Sequence, residues 1–556
     1  MLDRIRQWLE AHPRWTLCLL VGAALGPFLA KPFNLDDPLF IWLARQILAH
    51  PGDPFGCAVN WYGRVSPLWA ITDNPPAAGY YYAVFGRTFG WSEIGLHLGG
   101  LAAALAAILG IHRLAARLCQ RPLLAAGAVL FMPVFLVSAG TVMCDVLMLA
   151  AWVWAVVFWV EGLEDNRGLK LVVAGVLVAL ALLTKYFGVA LLPLLAAHGA
   201  LARRRVGPWC VCLLIPLATL GAYQWITLEL YGHALFSTAA DYASAVHSEL
   251  GMSKAVGGLI ALAFAGGGAA GVLFLAPALW PTRTLAAIAG GTAVLGGALC
   301  GSGLLFDRYH ALDSLAGRMA VSLQLIFWSV GGVLVLALAA ADVRKNARDP
   351  GSWLLALWVA GTFVFAAFVN WTVNSRSLLP LAPAVGILIA RRWSAAGQPR
   401  PQSLRIGLAL SALLALCVAQ SDCQLAIAVR RGAQEAVARH GASRSPLWFE
   451  GHWGFQYYME KYGATAVDFK RSAPRPGDIL AVPLNNTDTS EPAPENVARR
   501  EIVTVPGAAW LTTWHAAVGA GFYASVLGPL PFAFGKVPPE GLFIYELSAA
   551  APGTAK

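Results

Sequence analysis

Two adjacent carboxylates, Asp36 and Asp37, follow directly on the first membrane-length apolar run, Trp15 to Phe33. A further acidic element, Asp73-Asn74-Pro75-Pro76, comes later, and Asp145 ends the short segment SAGTVMCD. Three basic residues accompany them: Arg45, Lys185 in LLTKYF, and Arg376 in NSRSLLPLAP. A carboxylate can take a proton from a hydroxyl or hold a metal, and Lys and Arg neutralise phosphate. The set therefore suits a reaction in which a hydroxyl attacks and a phosphate departs. Each residue also has a plainer reading. An acid can cap a helix, a lysine can snorkel, and an arginine can anchor the end of a span. A cap needs one carboxylate, however, and here two stand in succession at a membrane boundary, where ionised groups are costly to desolvate.

The elements that position these residues are read from the apolar pattern. The chain has 556 residues, of which 58% are hydrophobic and 13% charged, with a mean hydropathy of +0.61. Soluble chains of this size carry about a quarter charged residues, so this composition defines a polytopic α-helical membrane protein. Apolar runs of membrane length begin near residues 15, 91, 123, 146, 170, 187, 208, 255, 284, 319, 352, 377 and 405, which predicts about 13 spans. Between them, loops alternate in basicity. One set, from Arg4 to Arg405, holds nineteen Lys and Arg, and the opposite set, from Lys31 to Arg376, holds nine. The positive-inside rule puts the richer set and the N-terminus in the cytoplasm. The seven candidate residues and, with an odd number of spans, residues 424–556 then fall outside. The net charge of +10 reflects loop residues facing an anionic leaflet rather than a nucleic-acid surface.

Three regions follow. Residues 1–423 form a membrane domain, within which 34–90 is an outer-face loop. Its segment Pro38 to Ala49 has apolar positions at helical spacing and reads as a helix lying in the interface. Residues 424–556 read as a small α/β domain: SPLWFEG, TAVDF, GDILAVP, EIVTV and GLFIYEL are strand-like, and HWGFQYYMEKYG reads as a helix. The nine cysteines show no metal-ligand spacing, and most lie in or beside apolar runs.

The order and spacing of Asp36-Asp37-Pro-Leu-Phe-x-x-Leu-Ala-Arg45, Asp73-Asn-Pro-Pro-x-x-x-Tyr-Tyr, Thr141-x-x-x-Asp145 and Leu-Thr-Lys185 resemble the polyprenyl-phosphate-sugar-dependent glycosyltransferases of family 39 type. These include the lipid A aminoarabinose transferases and the protein O-mannosyltransferases, and they share the GT-C fold. The likeness is good over residues 30–200 and extends loosely through Arg376-Ser-Leu-Leu-Pro. It implies Asp36 as catalytic carboxylate and Asp37 as its acidic neighbour. Asp73 and Asp145 would face substrate, and Asp37 and Asp73 are candidates for a possible divalent cation. The aminoarabinose transferases carry an arginine where this chain has Leu39 and a lysine where it has Asn74. Phosphate binding here therefore falls to Lys185, Arg376 and Arg45.

The expected function is transfer of a sugar from a polyprenyl phosphate carrier to a lipid, glycan or protein hydroxyl on the outer face of a bacterial inner membrane, with inversion. The expected partners are that donor, an envelope acceptor and membrane lipids, with no nucleic acid. The alternative is a multi-span transporter of an envelope precursor. Transporter sites lie near the bilayer midplane, whereas these acids gather at one surface.

Overall fold

Proline opens many of the helices, because its missing N–H costs nothing in a first turn. The helices Pro13–Leu25, Asp37–Ala49, Pro122–Leu130, Pro133–Ala139 and Pro350–Phe368 all carry it at their first or second position. Ser92, Ser253 and Ser314 cap others through their side chains, and Asp349 caps Pro350–Phe368 as well. The computed structural model describes residues 11–72, 74–249, 251, 253–396, 401–441, 445–472 and 474–548.

Among the described residues eight helices are long and apolar enough to cross a membrane, or up to ten if each of two bent pairs is one span. With the bent pairs counted, these correspond to ten of the thirteen apolar runs expected. The runs near 15, 170 and 377 do fold as helices, but shorter ones. Gly26-Pro27 follows Pro13–Leu25 with a three-ten turn, Gly168–Thr184 has 17 residues, and Pro380 interrupts the run between Ser375–Leu378 and Ala382–Ala395. One bent pair breaks by 65° at Met132-Pro133, where the residue before proline is driven into extended backbone. The other, Lys254–Gly268 with Gly271–Leu279, breaks by 80°. Beside that break the backbones of Lys254–Gly268 and Leu315–Lys345 approach so closely that a Cβ on Gly266 would lie 1.9 Å from the Trp328 carbonyl oxygen. Small residues permit this kind of helix contact in a membrane.

Charges collect at two ends of the bundle. Asp145 opens the helix Asp145–Glu164 and Glu161 lies near its close, about 24 Å away at 1.5 Å per residue. Glu161 binds Arg113 at 2.7 Å and Lys170 at 2.6 Å, while Asp145 binds Lys185.

The last long helix, Pro401–His440, continues past the expected boundary at residue 424. The strands and helix expected in the tail are found beyond it. A five-stranded sheet runs in the order Thr465–Ala466, Leu447–Phe449, Ile479–Pro483, Glu540–Leu547, Val497–Val505. The first three strands pair in parallel and the rest antiparallel. Helix Trp453–Lys461 packs against Asp37–Ala49 and brings the sheet onto the membrane domain. Gly454 sits so close to Phe33 that a Cβ would lie 2.3 Å from its carbonyl oxygen, and Tyr458 Oη accepts the Phe33 amide at 3.0 Å. Between the fourth and fifth sequential strands of this sheet, residues 506–539 leave it and reach back into the bundle. There Tyr309 Oη donates to the Ser525 carbonyl and Gln324 Nε2 to that of Phe534.

Candidate functional site

The chain turns sharply after the first helix. Leu35 is buried and adopts φ +47°, a conformation that a leucine holds only where its surroundings enforce it. The turn delivers Asp36 and Asp37 to different places. Asp36 stands at the N-cap position of Asp37–Ala49 but caps no amide with its side chain, so the capping reading does not account for it. Its Oδ2 accepts from Arg376 Nη2 at 3.1 Å, and about a third of its side chain is exposed.

Asp37 is fully buried. Its Oδ2 accepts the Asn34 amide at 2.9 Å and its Oδ1 the Val142 amide at 2.7 Å. Burial pushes its carboxyl up to about 7, against the pull of Lys31 and of these two amides. With both oxygens engaged by backbone, Asp37 braces the turn against the 140–144 loop and is badly placed to ligate a cation. Among the described residues no group of three His, Cys, Asp or Glu side chains is arranged to hold a metal. Asp73, the other candidate ligand, lies outside the described residues.

The braced loop leads straight into Asp145, which is buried between two cations. Lys185 Nζ is 2.6 Å from its Oδ1 and Arg376 Nη1 is 3.8 Å from its Oδ2. Lys185 ends the helix Gly168–Thr184 in extended backbone. Arg376 is carried by the short helix Ser375–Leu378, which Asn374 caps through the Ser377 amide at 2.7 Å. Its guanidinium also touches Met143 Sδ at 2.9 Å and lies 5.5 Å from the centre of the Tyr523 ring. Five of the seven expected residues, Asp36, Asp37, Asp145, Lys185 and Arg376, thus converge from four separate chain segments. Of the two positions where the chain departs from the aminoarabinose transferases, Leu39 is buried. Asn74 Oδ1 accepts from Cys144 Sγ at 3.5 Å, beside Asp145.

Arg45 does not join them. It lies over the Trp91 ring, 5.1 Å from its centre, and lines a separate groove. The reason is helical rise: nine residues past Asp36 put it about 13 Å along the helix.

A second charged pair underlies the site and was not expected. Lys31 Nζ lies 2.5 Å from Asp422 Oδ2 and donates to the Gly140 carbonyl at 2.9 Å, with both side chains buried. Asp422 also accepts from Thr513 Oγ1 at 2.6 Å and from Tyr523 Oη at 3.0 Å. Tyr523 therefore touches both charged groups, Arg376 by its face and Asp422 by its hydroxyl. Burial would lower the Lys31 ammonium, but the charges of Asp422 and Asp37 outweigh it and hold it above its ordinary range. One sequence signal did point here: Asp422 is the one acid in the apolar stretch Ile406 to Ile427, which by default marks a functional or structural partner.

Comparison with known proteins falls on the same segment. Residues 73–223 match the family described as dolichyl-phosphate-mannose-protein mannosyltransferase. The matched stretch contains Asp73, Asp145 and Lys185. Among curated proteins, no sequence relative matches the chain. Solved structures resemble it distantly. ArnT from Cupriavidus metallidurans bound to undecaprenyl phosphate is 17% identical over 85% of this chain and 92% of its own, with a TM-score of 0.41. The Archaeoglobus fulgidus oligosaccharyltransferase tethered with an acceptor peptide is 12% identical over 83% and 64%, with a TM-score of 0.44. The mycobacterial arabinofuranosyltransferase AftD is 14% identical over 98% and 40%, with a TM-score of 0.39. The family match thus falls within a helical chain that has, among the described residues, eight helices long and apolar enough to cross a membrane.

Proposed function

We propose that this protein transfers a sugar from a polyprenyl phosphate carrier to a hydroxyl acceptor at the outer face of the membrane, with inversion at the anomeric carbon. One observation carries the reading: a part-exposed carboxylate, Asp36, pairs with Arg376, which shares a buried counter-charge, Asp145, with a second cation, Lys185. A hydroxyl is a weak nucleophile at neutral pH, and Asp36 takes its proton as it attacks. The new bond joins the acceptor oxygen to the anomeric carbon, and the bond from that carbon to the carrier phosphate breaks. Arg376 and Lys185 stabilise the charge that develops on the departing phosphate. Asp145 holds the two cations in place, and Asp37 fixes the turn from which Asp36 projects. A single displacement from the face opposite the phosphate inverts the centre.

The outer-face assignment rests on the nineteen-to-nine bias in loop cations and on the gathering of Asp36, Asp145, Lys185 and Arg376 at one end of the bundle. The test is to incubate purified protein with labelled polyprenyl-phosphate sugars and membrane extract, then identify the labelled product. A labelled glycan, lipid or protein supports the reading. Return of the intact carrier with every donor counts against it.

A further inference from the structure

Away from the charged site, helix Asp37–Ala49, strand Ala58–Asn60 and the tail helix Trp453–Lys461 enclose a groove of about 470 Å³. Trp42, Arg45 and Gln46 line it from Asp37–Ala49, Asn60 from the strand, and Gln456 and Glu460 from the tail helix. Its chemistry is mixed and balanced. Trp42 is half-buried and braced edge-on by Trp61, with ring centres 5.9 Å apart. Arg45 brings donors, Gln46 Nε2 already donates to the Asp53 carbonyl at 3.1 Å, and Glu460 brings a carboxylate. Gln456 is buried, and its amide has one possible orientation, because Nε2 donates to the Asn60 carbonyl at 2.5 Å and to Glu460 Oε1 at 2.8 Å. Its Oε1 is left buried with no hydrogen-bond partner among the described residues. An orphaned acceptor of this kind costs free energy until a donor meets it.

We infer that this groove binds a pyranoside of the acceptor glycan. An aromatic face beside separate donors and acceptors suits a sugar ring, which is apolar across its C–H face and hydroxylated at its rim. A phosphate fits poorly, since a carboxylate, Glu460, lines the groove together with Arg45. The groove also has a sensible position. Trp42 is six residues past Asp36, about 9 Å along the helix that Asp36 precedes. Its role as the acceptor site rests on the transferase reading above; sugar binding itself does not.

Saturation-transfer NMR on the full-length protein, in a zwitterionic detergent without a sugar headgroup, tests this. The probes are the methyl glycosides of glucose, galactose and mannose, with a serine- and threonine-containing peptide as comparison. At least one glycoside should receive saturation above the empty-micelle control. The signal should fall at least fivefold in Glu460→Gln and in Arg45→Gln, two surface changes checked for an unchanged unfolding temperature. Transfer to the peptide alone, to no glycoside, or equally in wild type and both variants overturns the inference. Because no donor is present, a failure of sugar transfer would leave this result standing and would count against the transferase reading only.

Discussion

Arg376 and Asp36 lie 340 residues apart in sequence, yet Nη2 of one donates to Oδ2 of the other at 3.1 Å. The pair joins the turn after the first helix to the short Ser375–Leu378 helix, and it puts a cation on the carboxylate that the proposed mechanism uses as base. Substrate phosphate would compete for that arginine and free the oxygen as the carrier binds, which links donor binding to activation of the acceptor.

Asp36→Asn therefore separates structure from chemistry. Asp36 caps no helix amide through its side chain, so the variant should insert and accumulate normally. Turnover per folded molecule should fall at least about a hundredfold, the lower range for loss of a general base. Near-normal turnover in the labelled-donor assay would remove Asp36 from the base role.

Lys185→Ala and Arg376→Ala should act on the carrier. Each leaves Asp145 with one of its two cations, and use of the polyprenyl-phosphate donor should weaken at least about tenfold in kcat/KM, through both binding and leaving-group charge. If both variants keep wild-type donor kinetics, the phosphate sits elsewhere.

The Lys31–Asp422 pair should behave as a buried ion pair. Asp422→Asn leaves a buried ammonium without its counter-charge and should cost about 3–5 kcal/mol. Replacing both, Lys31→Met with Asp422→Leu, should recover much of the lost unfolding temperature in detergent. A double variant no better than Asp422→Asn would show that Thr513 and Tyr523, rather than Lys31, set the worth of Asp422.

Acid should loosen the tail through His452. The imidazole is buried among Trp61, Tyr62 and Trp453, and Asp488 Oδ2 stands 4.0 Å from its Nδ1. Burial lowers its pKa from 6.5 to about 3. The unfolded state then binds more protons than the folded one below pH 6.5, so this contribution is complete above 6.5 and is lost as pH falls toward 3, by up to about 1.4 kcal/mol per unit. The unfolding temperature should drop between about pH 7 and pH 5, and His452→Gln should flatten that slope.

Orientation has its own measurement. A C-terminal alkaline phosphatase fusion should be active and a C-terminal fluorescent-protein fusion dark. The reverse pattern would move the site to the cytoplasmic face.

Much of this was readable from the chain because the signals were local. EIVTV and GLFIYEL became neighbouring strands, and HWGFQYYMEKYG became a helix, since alternation and turn residues act over a few positions. Asp36, Asp145, Lys185 and Arg376 each flank an apolar run, so their common end of the bundle followed from loop alternation. What eluded reading depended on distance and rotation. Nothing local pairs Lys31 with Asp422, or sends Tyr523 from the tail onto Arg376. Arg45 shares a helix with Asp36, but the rise between them carries it to another groove. Helix length was not legible either, because Gly26-Pro27 and Pro380 shorten runs that composition alone counts as whole.

The Lys31–Asp422 pair also sets a timetable for biogenesis. Its partners are 391 residues apart, so at ordinary rates of synthesis a ribosome needs roughly 20–80 s after making one to make the other. Through that interval the lysine lacks the carboxylate that neutralises it in the folded protein, and an ammonium without its counter-charge is costly to bury in a membrane. Chains that stall before Asp422 would keep that lysine unsatisfied, a mark by which membrane proteases could recognise them as unfinished.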